Sequence, residues 1–388
     1  MFRTAERLNQ LGSSIFSKLD ELRKKKEQEG MATINLSIGS PDLPPAEHIR
    51  EALMREVNQA GNYGYPLTAG MREFKEAVAQ WYYRRFRVAL DAEQEVLPVL
   101  GSQDGLGHLG LAYLNPGDVA LVPDPGYPVY TASVVLAGGV KYPLPLKAKN
   151  SFLPDLTAIP ADVARAAKLM FLNYPNNPIA AVADLEFFAE AVEFARRYNI
   201  IICHDLAYSE LAYDGFQPPS ILEVPGAKEV CIEFHSFSKT FCMAGCRLGF
   251  VVGNKDVIRG LATVKSNIDF GVFKPVQWAG IAALTGSQEW VKENARTYQR
   301  RRDVLIDGLS ALGWQIPKPK ASMFVWAPLP WGYQSARQFA LDLLERAGVV
   351  VVPGTAFGEN GEGYVRMALV VEEKLLAEAV GRIGQAFP

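Results

Sequence analysis

The sequence predicts an α/β protein: a large domain built on a mainly parallel sheet, joined to a smaller α/β domain. Three observations predict it. Between residues 95 and 255, short apolar runs alternate with segments of helical period such as 184–198; the runs are VLPVL (96–100), VALVP (119–123), KLMFLNY (168–174), NIIICHD (199–205), VCIEFHS (230–236) and RLGFVVG (247–253). Strands with no polar face must be covered on both sides, which is the pattern of a parallel sheet between helices. Secondly, polar clusters follow the strand ends: Gly101-Ser102-Gln103, Asp124 to Tyr127, Asn173 to Asn177, Asp205 to Tyr208 and Ser236 to Lys239. Ligands of such sheets bind at strand ends, so these loops should converge on one cleft. Thirdly, the C-terminal part carries a long polar helix near 287–310, strands near 323–327, 349–352 and 364–370 with a helix between, and a closing helix from 371. The large domain is expected at 40–285 and the small one at 1–39 plus 286–388. With no internal repeat, low-complexity tract or long linker, the two should share an extensive interface.

Composition narrows the function classes. The 388 residues are 49% apolar and carry a net charge of −2, without a strong excess in either half. Such a chain can bury a large core and has no electrostatic footprint for nucleic acid or a membrane surface. The run Arg23-Lys24-Lys25-Lys26-Glu27 fits the solvated end of an amphipathic helix. No apolar run is long enough to span a bilayer, and the N-terminus lacks a signal-peptide core, so a cytoplasmic protein is expected. The four cysteines, 203, 231, 242 and 246, then read as reduced thiols. Cys242 and Cys246 are spaced for one helix face, and His204 and His235 stand near Cys203 and Cys231. Neither paired Cys-x-x-Cys knuckles nor a His-Glu-x-x-His helix is present, so no metal is expected.

Gly105-Leu106-Gly107-His108-Leu109-Gly110 matches the dinucleotide fingerprint and is followed by Asp124 at the next strand end, a pattern that by itself suggests an oxidoreductase. The glycines, however, begin beyond the strand's immediate turn and should lie inside a helix, serving close packing. Asp124 runs into Pro-Gly-Tyr-Pro, a tight turn rather than a ribose-binding strand end.

The segment Ser236-Phe237-Ser238-Lys239-Thr240, with Arg247-Leu248-Gly249 following, is the most informative in the chain. A lysine between small hydroxyl residues, with an arginine eight positions on, suits a reactive amine beside a bound phosphate. The hydroxyls and the planar guanidinium can bind phosphate oxygens, and a partly buried amine can lose its proton to act as nucleophile and base. That combination points to pyridoxal phosphate.

Together, GYPLTAG (64–70), GSQDG (101–105), PDPGYPVY (123–130), NYPNNPIA (173–180), HDLAY (204–208), SFSKT (236–240), RLGF (247–250) and YVRMAL (364–369) resemble, in order and over essentially the whole chain, the fold-type I, class I/II aminotransferases that use pyridoxal 5'-phosphate. The resemblance implies that Lys239 carries the cofactor on its amine and then moves a proton at the substrate Cα. Asp205 would pair with the pyridine nitrogen, Tyr208 and Asn177 would donate to the ring 3′-oxygen, and Tyr127 would stack on the ring. The N–H groups of Ser102 and Gln103 at a helix N-terminus, with Ser236, Ser238 and Arg247, would hold the phosphate. Arg366, helped by the backbone at Gly39, would clamp the substrate α-carboxylate. Tyr65 resembles the family tyrosine that reaches the neighbouring subunit's phosphate, which implies a homodimer.

Within the family, INLSIGSPDLPPAEHI, WYYRRFRVALDAEQEVLPVLGSQDG, PDPGYPVY and KSNIDFGVF are similar to the LL-diaminopimelate aminotransferases, which convert tetrahydrodipicolinate and glutamate to LL-diaminopimelate and 2-oxoglutarate in lysine biosynthesis. Ile15 stands where an aromatic substrate contact is expected, Gln103 where a lysine is common and Lys274 where an asparagine is common; the SKT segment continues FCMAGC, where relatives carry asparagine and tryptophan. If Lys274 enters the neighbouring cleft, its charge would favour aspartate or glutamate over the zwitterionic far end of diaminopimelate. The expected activity is ping-pong transfer of an amino group between an amino acid and a 2-oxoacid. Alternatives are an aspartate, glutamate or alanine specificity, a carbon-sulfur lyase on the same cofactor, and a non-enzymatic regulator of the same fold.

Overall fold

The computed structural model describes residues 2–11, 14–330 and 332–387, without the side chains of 14–16. Ile15 therefore lies outside the described side chains. The strands run in chain order β1 (Ile34–Asn35), β2 (Val96–Val99), β3 (Val119–Asp124), β4 (Val140–Pro145), β5 (Ala167–Asn173), β6 (Ile201–Asp205), β7 (Cys231–Ser236), β8 (Gly249–Gly253), β9 (Phe324–Pro328), β10 (Val349–Val350), β11 (Val352–Pro353) and β12 (Tyr364–Ala368).

Seven of them form the central sheet in the order β2-β8-β7-β6-β5-β3-β4. Only β8 runs against its neighbours, and every other pairing is parallel. The six apolar runs all form strands within this sheet, and their buried positions pack into two apolar clusters that include Phe171 and Met170 at full burial. The seventh strand, β4, gives no such run. It is one of the two edge strands and, unlike β2 at the other edge, is mostly exposed; it carries Pro143 and Pro145, which an edge tolerates because one side of its backbone needs no ladder partner.

The C-terminal elements match the expected order with one change. The apolar stretch 349–352 is split at Val351, so that β10 pairs in parallel with β1 whereas β11 joins the antiparallel sheet β11-β12-β9. The polar helix is Glu289–Ala311 and the closing helix Glu373–Ala386. A third cluster unites these elements, with Ile34 and Leu36 from the N-terminal part and Tyr208, Leu211 and Tyr213 from the loop after β6. This sharing of side chains across the sequence locks the C-terminal elements against the ends of the parallel strands.

The glycine fingerprint lies within the helix Ser102–Tyr113. A Cβ on Gly105 would fall 2.5 Å from the Phe234 ring, and one on Gly110 would fall 2.1 Å from the Ser133 carbonyl oxygen. These glycines let the helix approach the sheet and its neighbouring helix. Asp124 is engaged by Asn360, whose side-chain amide donates to it at 2.9 Å.

Candidate active site

At the C-terminal ends of β5, β6 and β7 lies a cleft of about 450 Å³, lined by Gly39, Ser102, Gln103, Tyr127, Asn177, Asp205, Tyr208, Ser236, Ser238, Lys239, Arg247 and Arg366 among others. The polar clusters at the strand ends thus meet, as the sheet pattern requires.

Its floor is built for an anion. The chain leaves β2 and turns at Gly101, whose φ of 78° is costly for any residue with a Cβ, into the helix Ser102–Tyr113. A Cβ there would also lie 2.5 Å from Arg247 Nη2. The first N–H groups of that helix have no intrahelical acceptor and aim at the cleft with the positive end of the helix dipole. Ser236 accepts from the Ser238 N–H at 3.2 Å, so its hydroxyl hydrogen remains available to a ligand. Arg247 is fixed by donation from Nη1 to the Ala244 carbonyl at 2.8 Å.

Lys239 follows β7 in the short helix Phe237–Thr240, and its amine donates to the Gly39 carbonyl at 2.6 Å. Burial, reinforced by the nearby Arg366 guanidinium, lowers its pKa to about 8, so a sizeable fraction is neutral near physiological pH. Across the cleft Asp205 is buried at the end of β6, accepting from the Tyr130 hydroxyl at 2.8 Å and, at 3.3 Å, from the Ala207 N–H. Burial raises its pKa, a cost that a cationic N–H donor facing it would offset. The buried Tyr208 hydroxyl is likewise pushed up by burial and remains a proton donor. Tyr127 lines the wall and donates to Gln103 Oε1 at 2.9 Å.

Arg366, on β12, is 4% exposed and sits between the rings of Phe324 and Phe357, at 4.2 and 4.7 Å. Nη1 donates to Asn177 Oδ1 at 2.9 Å and Nη2 to the Ser37 carbonyl at 2.7 Å, while the buried Nε has no partner. Burial pulls its pKa down to about 10, and no carboxylate among the described residues compensates its charge. Such a guanidinium, with N–H groups to spare, is a receptor for a carboxylate. Asn177 is itself placed by Asn173, whose Oδ1 accepts the Asn177 N–H at 2.7 Å.

Two sequence-predicted residues are not in this cleft. Tyr65 is 84% exposed with its ring 5.2 Å from Phe270, and Lys274 begins the helix Lys274–Thr285 directly after Phe273, whose ring lies 5.6 Å from that of Tyr63. Tyr130, Phe324, Phe357 and Ser37 contact the site groups but escaped the sequence reading. Tyr130 had a signal, lying one helical turn after Tyr127 in PDPGYPVY, whereas the two phenylalanines and Ser37 are indistinguishable from core or loop residues until the chain folds.

His204 and His235 both bind the buried Glu233 carboxylate, at 2.8 and 2.9 Å, which also accepts from Ser220 and Tyr82. Asp104, His108 and Asp269 have metal-like spacing, but the Lys265 ammonium is among them, 2.5 Å from Asp104 and 2.9 Å from Asp269. All four cysteines are free thiols.

Residues 32–383 match the family described as aminotransferase class I and II. The chain is 52% identical over 379 residues to the LL-diaminopimelate aminotransferase of Moorella thermoacetica, covering 98% of this chain and 97% of that one. It is 50% identical over 382 residues to the same-named protein of Desulforudis audaxviator, covering 98% and 97%. The substrate-bound structure of BacF from Bacillus subtilis superimposes with a TM-score of 0.94 at 40% identity, covering 99% of this chain and 98% of that one.

Proposed function

Since the chain belongs to the class I and II aminotransferases, we propose that its cleft transfers an amino group between LL-diaminopimelate and a 2-oxoacid, in the direction that serves lysine biosynthesis. The family works with pyridoxal 5'-phosphate, which when bound takes up the amino group and acts as an electron sink for the carbanion at the substrate Cα. The residues present fit it. An anion-binding helix start with Ser236, Ser238 and Arg247 lies at one end of the cleft, and a buried carboxylate, Asp205, awaits a cationic donor at the other.

In this reading Lys239 would hold the cofactor through its amine and would serve as the base that moves the proton at the substrate Cα. Asp205 would keep the pyridine nitrogen protonated, and Tyr208 and Asn177 would donate to the ring oxygen. Tyr127 would pack on the ring. Ser102 and Gln103 would bind the phosphate through their N–H groups. Arg366 receives the α-carboxylate beside Gly39, which orients the Cα–H bond toward Lys239. The observation that carries the proposal is the buried Arg366, which has no carboxylate partner among the described residues, in the same cleft as the partly buried Lys239 amine. The division into domains 40–285 and 1–39 plus 286–388 sets both groups at its seam.

Tyr65 and Lys274 act in this proposal from a second subunit. Tyr63, Tyr65, Leu67, Ile268, Phe270 and Phe273 form an exposed apolar face that a C2 homodimer would cover, bringing Tyr65 to the neighbouring phosphate. No described helix is long and apolar enough to cross a membrane, and the proposed setting is the cytoplasm.

The test is the visible absorbance of the cofactor-loaded protein before and after adding LL-diaminopimelate, glutamate, aspartate or alanine. Bleaching by LL-diaminopimelate and glutamate is expected. Bleaching by aspartate but not by LL-diaminopimelate would overturn the specificity and favour the second reading, in which the Lys274 charge selects a distal carboxylate. Under that reading Lys274→Ala raises the Michaelis constant for dicarboxylates, and an unchanged constant for every donor removes it.

A further inference from the structure

The stretch from Ser37 to Asp42 touches both working groups of the cleft. Its Ser37 carbonyl accepts from Arg366 Nη2 at 2.7 Å, and its Gly39 carbonyl accepts from the Lys239 amine at 2.6 Å. Gly39 is pressed against the wall, since a Cβ there would lie 2.5 Å from Phe324 Cζ. The near end of the stretch is stitched into regular structure: the Leu36 N–H donates to the Val350 carbonyl at 2.9 Å, and the Leu36 carbonyl accepts from Ala368 at 2.8 Å. Beyond Ser37 the chain has no helix or strand until Glu47.

One ion pair secures that far end. Arg301, on the helix Glu289–Ala311 and 3% exposed, holds the Asp42 carboxylate with both terminal nitrogens, Nη1 at 2.8 Å and Nη2 at 2.6 Å. Nη1 also donates to the Leu369 carbonyl at 3.1 Å, just past the end of the strand that carries Arg366. A single guanidinium therefore ties together the segment bearing Ser37 and Gly39 and the strand bearing the carboxylate receptor. A planar fork in a buried setting suits this task, because it fixes direction as well as distance.

We propose that Arg301 is a positioning residue for the reaction: through Asp42 it fixes the Gly39 backbone relative to Arg366, and so sets the geometry in which the substrate α-carboxylate is received. The inference rests on the aminotransferase reading. Arg301 touches neither the reacting amine nor the carboxylate receptor. Its loss leaves the Lys239 helix and the Arg366 strand in place but lets the stretch between them drift, so that each substrate must order it on binding. The effect falls on recognition of every substrate with an α-carboxylate, amino donor and 2-oxoacid alike, and spares proton transfer.

The experiment compares Asp42→Asn, Arg301→Lys, Arg301→Gln and the double variant Asp42→Asn/Arg301→Gln as cofactor-loaded enzymes. It reads KM and kcat for a donor and a 2-oxoacid, the dissociation constant of glutarate as an unreactive carboxylate, and the cofactor dissociation constant. Because displacement of about 1 Å in a positioning contact is worth up to ~10²-fold, Asp42→Asn and Arg301→Gln should each raise KM for both substrates and the glutarate constant about tenfold, with kcat within about threefold and cofactor affinity unchanged. Arg301→Lys should recover part of the loss, and the double variant should be no worse than the poorer single one. If Arg301→Gln fails to fold, the partly exposed Asp42→Asn decides the matter. A fall in kcat with KM and glutarate binding unchanged, additive losses in the double variant, or lowered stability with unchanged KM would each overturn the proposal. Failure of the underlying aminotransferase reading shows separately, as an unmutated protein that no amino donor bleaches.

Discussion

Replacing Arg366 by Met tests the carboxylate receptor directly. The guanidinium offers five N–H groups, and the structure commits one to Asn177 and one to Ser37, leaving the buried Nε and two further hydrogens for a ligand. A bidentate α-carboxylate would use two of these, and charge-assisted bonds contribute about 1.5–3 kcal/mol each, so the variant should lose about 3–6 kcal/mol of transition-state stabilisation. The orphaning of Asn177 and Ser37 is common to free and bound enzyme and largely cancels. In rate terms kcat/KM should fall by roughly 10²- to 10⁴-fold. Arg366→Lys, which keeps the charge but loses the fork, should fall less. The assay is the single-turnover half-reaction with LL-diaminopimelate or glutamate, run beside an amine that lacks the α-carboxylate. A loss smaller than tenfold, or an equal loss with the decarboxylated amine, would refute the assignment.

Lys239→Met should remove transamination and, in the cofactor-free protein, change how stability depends on pH. Burial lowers the folded-state pKa from 10.5 to about 8, so the folded chain binds fewer protons than the unfolded chain between those values. The penalty is fully present below about pH 8 and relieved as pH rises toward 10.5. Denaturant melts should show native stability rising across that window relative to Lys239→Met, by about 3 kcal/mol at most given 1.36 kcal/mol per pKa unit; parallel profiles for the two proteins would contradict it. Gly110→Ala drives a Cβ to 2.1 Å from the Ser133 carbonyl oxygen, whereas the nearest atom to a Cβ at Gly107 is 3.9 Å away. Overpacking should therefore cost the first about 1–3 kcal/mol, while helix propensity should leave the second neutral or up to about 1 kcal/mol more stable; equal urea midpoints for the two variants would count against this packing account.

Periodicity was sufficient for the parallel core, because a strand buried on both faces is apolar except where a polar group finds a buried partner, as His204 and His235 do in Glu233, and residues such as Phe171 and Met170 announce it in any window. It failed at β4, where exposure at the sheet edge removes the constraint and Pro143 with Pro145 breaks the run. Nor could it divide 349–352, because Val350 and Val352 are equally apolar and only their partners, β1 and β12, separate them.

The sequence by itself determined the fold class, the order of the motifs and the residue types of the cleft, since strand-end loops bearing Lys239, Asp205 and Asn177 follow from local pattern and chain order. Tertiary structure alone decided which groups face one another. That Arg366 meets Asn177 and Ser37, that two phenylalanines flank it, and that Lys239 reaches Gly39 are contacts between residues up to 329 positions apart. No local periodicity encodes such pairs: they arise when the apolar clusters close and bring distant strand ends together. The lowered pKa of Lys239 and the raised one of Asp205 have the same origin, because desolvation belongs to the folded cleft and not to any stretch of chain.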